Sequence, residues 1–194
     1  MNFCILSCKN ASIRLIEKYP NGITKIDVII VGGKRNGEAK EYYANGKIHQ
    51  EGYYRNDKLE GTWSFFDENG VLNTKASFAN GEQNGVAYVY YPNGTLLSET
   101  MVVNDKKNGL GKVYYVDGKL QEEGSWVNSL EDGKWQFFTD AGTLAAIINF
   151  KSGKQNGQSI FYYANGKKSE EAKWNNGERI GSVIIYDSIS GKPK

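Results

Sequence analysis

Cysteine, proline and histidine are scarce in this 194-residue chain, which has two cysteines, three prolines and one histidine. Both cysteines, Cys4 and Cys8, lie in the first eight residues, so the rest of the chain has no disulfide framework. The single His49 cannot form a zinc site or a catalytic triad without a nearby cysteine or a second histidine. We expect it to be an exposed strand residue.

Long apolar runs and an excess of one charge are also absent. No stretch of about 18 apolar residues argues for a membrane-spanning helix. The chain balances 24 Lys and Arg residues against 22 Asp and Glu residues, which leaves a formal net charge of +2. Basic and acidic residues alternate and do not form a basic face, so we expect no nucleic-acid partner.

Aromatic residues and glycine are abundant. The chain has 13 Tyr, 8 Phe and 4 Trp residues together with 23 Gly residues. Tyrosine-rich segments separated by glycine turns are typical of β-strands.

The glycines reveal an internal repeat of 24 residues. One series is Gly37, Gly61, Gly85, Gly109, Gly133, Gly157 and Gly181. A second series with the same spacing is Gly22, Gly46, Gly70, Gly94, Gly118, Gly142 and Gly166. Six complete copies extend from Gly37 to Ile180, with partial copies at both ends.

Each repeat contains two turns. The first centres on Asn45-Gly46 and its equivalents, which predict two-residue hairpin turns with positive φ at both positions. Ala141-Gly142 departs from this pattern and predicts a looser loop. The second turn, as in "NDKLEG", is charged and predicted to be longer. The structural turn glycines are therefore Gly46, Gly70, Gly94, Gly118, Gly142 and Gly166.

This arrangement predicts an all-β fold: an elongated antiparallel meander of 24-residue β-hairpins in a single coiled or twisted sheet. We expect about 14 or 15 strands of roughly six to nine residues. Two apolar columns, one beginning at Tyr42 and the other at Ile30, should place aromatic side chains on the concave side. The predicted regions are an N-terminal segment (1–12), a repeat domain (13–188) and a C-terminal tail (189–194). The repeat domain comprises a partial copy (13–36), six full copies (37–180) and a final strand (181–188).

The recurring pattern "G-x-x-x-x-Y-Y-x-N-G-K" resembles the MORN repeat variant, in the form found in YwqK-type antitoxin components of toxin–antitoxin pairs. The segment from Gly157 to Lys167 is the cleanest match, and Gly37 to Lys47 is nearly as good. The resemblance covers about residues 13–187. It implies a β-hairpin repeat fold, a binding or scaffolding role and no shared catalytic residues.

The N-terminal segment "ILSC" resembles a bacterial lipobox, in which a cysteine becomes lipidated. Cys8 is therefore a candidate lipidation site, although the seven preceding residues are short for a signal sequence and include no basic residue. The alternatives are a short apolar strand and a Cys4–Cys8 disulfide. An anchor at Cys8 would be the chain's only contact with a membrane, and it favours the cell envelope slightly over the cytoplasm.

No residue pattern indicates catalysis, a cofactor or a metal. Glu51, Glu99, Glu123 and Glu171 share one column, which we interpret as a solvated sheet face. A non-enzymatic protein-binding or scaffolding module is the predicted function, and its partner is expected to be a protein. Its candidate partner-binding aromatics are Tyr43, Tyr91, Tyr115 and Tyr163. The alternatives are an antitoxin that neutralises a partner toxin and a module that binds envelope glycan.

Overall fold

The computed structural model describes residues 11–194, which form strands and turns with no helix. Neighbouring strands in the antiparallel sheet follow the order of the chain. The strands are β1 (Ser12–Lys18), β2 (Thr24–Val31), β3 (Lys34–Tyr42), β4 (Ile48–Arg55), β5 (Lys58–Phe66), β6 (Leu72–Ala79), β7 (Glu82–Tyr90), β8 (Leu96–Val103), β9 (Lys106–Tyr114), β10 (Leu120–Val127), β11 (Leu130–Phe138), β12 (Leu144–Lys151), β13 (Lys154–Tyr162), β14 (Lys168–Asn175) and β15 (Glu178–Ile185). The predicted all-β hairpin fold is confirmed.

The chain divides into two compact units. Unit 1 is Met1–Gly85, described from residue 11, and unit 2 is Val86–Lys194. Each unit is a succession of antiparallel hairpins that pair in chain order. The candidate lipidation site Cys8 lies outside the described residues.

The second turn of each repeat is the short one. Asn56 and Asp57 form a two-residue turn between β4 and β5, with φ angles of 50° and 68°. Positive φ at both positions is the geometry that matches the twist of a hairpin. The other second turns share it: Gly32-Gly33, Asn80-Gly81, Asn104-Asp105, Asn128-Ser129, Ser152-Gly153 and Asn176-Gly177. The prediction of a longer second turn was wrong.

The first turn is the longer one and needs only one residue with positive φ. The Tyr43 amide donates to the Lys47 carbonyl at 2.8 Å, and the Gly46 amide donates to the Tyr43 carbonyl at 2.9 Å. Gly46 has a φ of 85°, and Asn45 accepts the Lys47 amide on its side-chain oxygen at 3.0 Å. The prediction of a two-residue Asn-Gly turn was therefore wrong.

The turn at Ala141-Gly142 has the same geometry as the others. The Thr139 amide donates to the Thr143 carbonyl, and the Gly142 amide donates to the Thr139 carbonyl, both at 2.8 Å. The predicted looser loop is wrong because only the glycine, with a φ of 84°, needs the left-handed region.

The glycine series that begins at Gly37 lies inside strands and marks bulges. Gly61, for example, has a φ of 69°, and the pairing of β4 with β5 shifts register between Glu51 and Tyr53. The Tyr53 carbonyl instead accepts the Trp63 indole N–H at 3.0 Å. The bulge thus redirects a backbone acceptor to a buried ring.

Each unit has two chemically different faces, a packed face and an ionic face. In unit 1 the packed face carries Trp63 and the ionic face carries Glu51. In unit 2 the packed face carries Trp135, and the ionic face carries Glu99, Glu123 and Glu171. In unit 1, Val28, Ala39, Tyr54 and Trp63 form the buried core of the packed face. In unit 2, Val102, Trp135, Ala146 and Ala172 are buried.

Each buried tryptophan packs on a glycine of the neighbouring strand. A Cβ atom added to Gly52 would lie 2.4 Å from Cδ2 of Trp63, and one added to Gly124 would lie 2.2 Å from Cδ2 of Trp135. Gly52 and Gly124 belong to neither glycine series, and both leave room for a flat ring. The indole ring on one strand therefore fills the space that the glycine on the next strand leaves free.

The C-terminal tail folds back on the last strand. Pro193 forms an antiparallel bridge with Tyr186, and the Lys194 amide donates to the Ile185 carbonyl at 2.9 Å. The tail thus occupies part of the edge of β15, where an open strand would otherwise invite pairing.

Candidate binding surface

The four candidate partner-binding tyrosines are half-buried and have a structural task. The Tyr43 hydroxyl donates to the Phe66 carbonyl at 2.7 Å, which joins one hairpin to the next. The same contact, at 2.8 Å, joins Tyr91 to Tyr114, Tyr115 to Phe138, and Tyr163 to Tyr186. Their role in partner binding stays a prediction.

Replacing Tyr115 with phenylalanine tests this structural task. The variant leaves the Phe138 carbonyl without its donor, so we expect the free energy of unfolding to fall by about 0.5–1.5 kcal/mol. Urea unfolding would measure the loss. Tyr53→Phe is a control, because the Tyr53 side chain is 42% exposed. Equal losses in both variants would contradict the assigned role.

The glutamate column lies on the ionic face, where most of its members meet a cation. Glu51 lies 3.0 Å from Lys40, Glu99 lies 3.8 Å from Lys112, and Glu171 lies 2.8 Å from Lys168. The hydrogen bond from Lys168 lowers the pKa of Glu171. Such ion-paired carboxylates match the predicted solvated face.

Some members of the Tyr42 column also lie on the ionic face. The Tyr114 hydroxyl donates to Glu99 at 2.7 Å, and the Tyr186 hydroxyl donates to Glu171 at 3.0 Å. Burial, and then the hydrogen bond to Glu99, raise the pKa of Tyr114 to about 12. The prediction that this column shares a face with the Ile30 column is wrong here, because adjacent strand residues point to opposite faces.

His49 is exposed, as predicted, and its ring centroid lies 4.6 Å from that of Tyr43. Within residues 11–194, no group of three or more His, Cys, Asp or Glu side chains is placed to hold a metal ion. In the same part of the chain, no helix has the length and apolar character to cross a membrane.

A shallow apolar depression interrupts the ionic face of unit 2. Val86, Met101 and Leu110 line this depression of about 300 Å³, and the Glu99–Lys112 pair borders it. Met101 and Leu110 are 38% and 54% exposed.

The packed face of unit 2 carries a row of paired side chains across five strands, which continues beyond them to Val113 on one side and to Ile185 on the other. Glu122 on β10 pairs with Phe137 on β11, and Phe137 pairs with Ala146 on β12. Ala146 pairs with Phe161 on β13, which pairs with Glu170 on β14. Directly paired residues share a face, so these five side chains stand side by side. We call Glu122, Phe137, Ala146, Phe161 and Glu170 the aromatic row.

Larger rings lie beside the aromatic row on the same face of the sheet. Trp135 stacks on Phe137 with ring centroids 6.3 Å apart, and it meets Trp126 and Phe150 edge-on at 5.0 and 6.2 Å. The Lys107 ammonium lies 4.3 Å from the centroid of Trp126. The stacked ring of Trp135, which its own neighbours fix, thus holds Phe137 in place.

The front of the aromatic row is open. Phe161 is 36% exposed, whereas the small Ala146 beside it is only 5% exposed. Every described strand of unit 2 belongs to the sheet, so no second layer of that unit covers this face. Phe161 therefore presents an exposed apolar ring on this face, next to Glu170 on the neighbouring strand.

Burial raises the pKa of Glu122, and the nearby carboxylate of Glu131 raises it further, while Lys107 opposes both. Neither Glu122 nor Glu170 has a hydrogen-bond or ion-pair partner within residues 11–194. The carboxylate of Glu122 is thus held where its charge is poorly solvated.

The raised pKa of Glu122 predicts a pH-dependent stability. The folded state binds this proton more tightly than the unfolded state, so stability falls as pH rises from the ordinary glutamate pKa through the raised one. Glu122→Gln should therefore melt at a higher temperature than the wild type at pH 7, and the two should converge near pH 4. Thermal melts across this range would measure it.

Glu123→Gln is the matched control, because Glu123 is the next residue of the same strand and points to the ionic face. A wild type that melts above Glu122→Gln at pH 7 would contradict the assigned environment.

Comparison with curated proteins finds no match to the chain. A structure described as the crystal structure of TcdB2-TccC3-Cdc42 matches 93% of this chain and 12% of that chain, with 12% identity and a TM-score of 0.27. That similarity is too low to carry an argument. The chain spans about one eighth of the length of the chain that it matches.

The family model described as the MORN repeat variant matches six segments: residues 35–56, 59–80, 83–104, 107–128, 131–152 and 155–176. Each segment corresponds to one hairpin, two strands joined by the longer first turn. The matches cover more than half of the chain, in the period that the glycines mark. The chain belongs to the MORN repeat variant family.

Proposed function

We propose that the chain is a non-enzymatic protein-binding module and that the packed face of unit 2 is its recognition surface. The observation that carries this proposal is the aromatic row, in which Phe161 is exposed and Ala146 beside it is buried. A sheet normally buries its apolar face against another element. Here that element would be the partner.

The chemistry of the surface suits protein recognition. Phenylalanine and tryptophan supply contact area at little cost in rotamer entropy, and they are enriched at interface centres. Trp135 stacks on Phe137 of the row and is itself contacted edge-on by Phe150. A rigid surface of this kind would bind with little reorganisation.

This surface differs from the one that the four tyrosines predicted. The hydroxyls of those tyrosines are committed to neighbouring hairpins, which leaves ring edges as their contribution to binding. An antitoxin role, binding to envelope glycan, an envelope location and a lipid anchor at Cys8 stay predictions, which rest on the resemblance and on the N-terminal motif.

Site-specific photocrosslinking tests the proposal. A benzophenone side chain at position 161 would face the partner, whereas one at position 160 would face the opposite side of the same strand. In lysate from the source cells, we expect a discrete protein adduct from position 161 and none of the same mass from position 160. Adducts only from position 160, or none from either, would contradict the proposed surface.

A further inference from the structure

We propose that the aromatic row selects a partner helix that carries basic residues on either side of an apolar stripe. This inference rests on the proposed function and specifies the chemistry of the partner. It follows from the order of the row, in which two phenylalanines and an alanine lie between Glu122 and Glu170.

The two carboxylates are the only charged members of the row, and both are half-buried. Neither has an ion-pair or hydrogen-bond partner within the described residues. Two cations share the packed face of unit 2. Lys107 lies over Trp126 and is close enough to Glu122 to lower the pKa of that carboxyl, but it forms no ion pair with it, and Arg179 pairs across the strands with Trp174. An incoming cation beside Glu122 or Glu170 would supply the ion-pair partner that each carboxylate lacks.

The spacing sets the length of the partner segment. Four strand intervals of about 4.8 Å separate Glu122 from Glu170, which gives roughly 19 Å along the sheet. A helix rises about 1.5 Å per residue, so basic side chains at positions i and i+14 would stand about 21 Å apart on one face. Leucines at i+4, i+7 and i+11 would lie between them on the same stripe.

The sheet face also favours a helix over an extended segment. The row presents side chains and no open strand edge, so it offers no backbone donors or acceptors to a ligand. A helix satisfies its own backbone hydrogen bonds and can lay an apolar stripe on such a face. The exposed ring of Phe161 would contact one of its central side chains.

A pair of synthetic helical peptides tests the inference. Both carry leucine at the three central positions, and they differ only in lysine or glutamate at positions i and i+14. By fluorescence anisotropy with the full chain, we expect the lysine peptide to bind about tenfold more tightly than the glutamate peptide. The double variant Glu122→Gln, Glu170→Gln should abolish most of that preference, and Glu123→Gln should leave it unchanged.

The outcomes separate this inference from the proposed function. Equal binding of both peptides, no binding of either, or a preference that survives the double variant would each overturn charge selection by the row. The crosslink at position 161 does not depend on these peptides. If it forms while the peptides fail, the recognition surface stands and the assigned partner chemistry falls.

Discussion

Replacing Trp63 with alanine is expected to lower the free energy of unfolding by about 3–5 kcal/mol. Trp63 is fully buried, meets Tyr54 edge-on at 4.8 Å and stacks on Phe65 at 6.3 Å. Its loss leaves a cavity over Gly52 and removes the donor to the Tyr53 carbonyl. Both costs fall on the packed face of unit 1.

Urea unfolding would measure the loss, and hydrogen exchange would locate it. In a repeat fold, each repeat contacts mainly the repeats on either side of it. Protection from hydrogen exchange should therefore fall first in the hairpins around β4 and β5. Trp174→Ala is a useful comparison, because Trp174 is only partly buried and donates to the Ser159 hydroxyl at 2.8 Å. A loss at Trp63 no larger than that at Trp174 would contradict the assigned burial.

Replacing Gly124 with alanine is expected to destabilise the chain by about 1–3 kcal/mol, although it adds only one methyl group. The new Cβ would lie 2.2 Å from the Trp135 ring, which other rings hold on two sides. The ring cannot shift without disturbing Phe137. This predicts strain that reaches the aromatic row.

A double-mutant cycle with Trp135→Ala isolates this strain. Once the ring is removed, the methyl group at position 124 meets no obstacle, so Gly124→Ala should cost close to nothing in that background. Thermal or urea unfolding of the four proteins gives the coupling energy. A cost for Gly124→Ala that is the same in both backgrounds would show that the ring and the glycine do not interact.

The 24-residue glycine period was enough to predict the hairpin fold, the number of strands and their lengths. It could not distinguish the two turns, because both contain asparagine and glycine. The short turn is set by positive φ at two successive positions, as at Asn128-Ser129, and Asn and Ser carry that signal only weakly. The longer turn needs only a glycine at its end.

The candidate surface was harder to predict, because its register depends on bulges. A bulge glycine inside a strand changes which residues pair beyond it, so simple alternation fails across Gly133 or Gly157. The members of the aromatic row recur alternately 15 and 9 positions apart, at 122, 137, 146, 161 and 170. Pairing the Phe137 column with the Ala146 column would have exposed that pattern in the sequence.

Affinity for the protein captured at position 161 is the most direct measure of the recognition surface. Phe161→Ser and Ile160→Ser change adjacent residues of one strand that point to opposite faces, and titration of each against that protein compares the faces. We expect at least tenfold weaker binding for Phe161→Ser and less than twofold change for Ile160→Ser. The reverse order would contradict the proposed recognition surface.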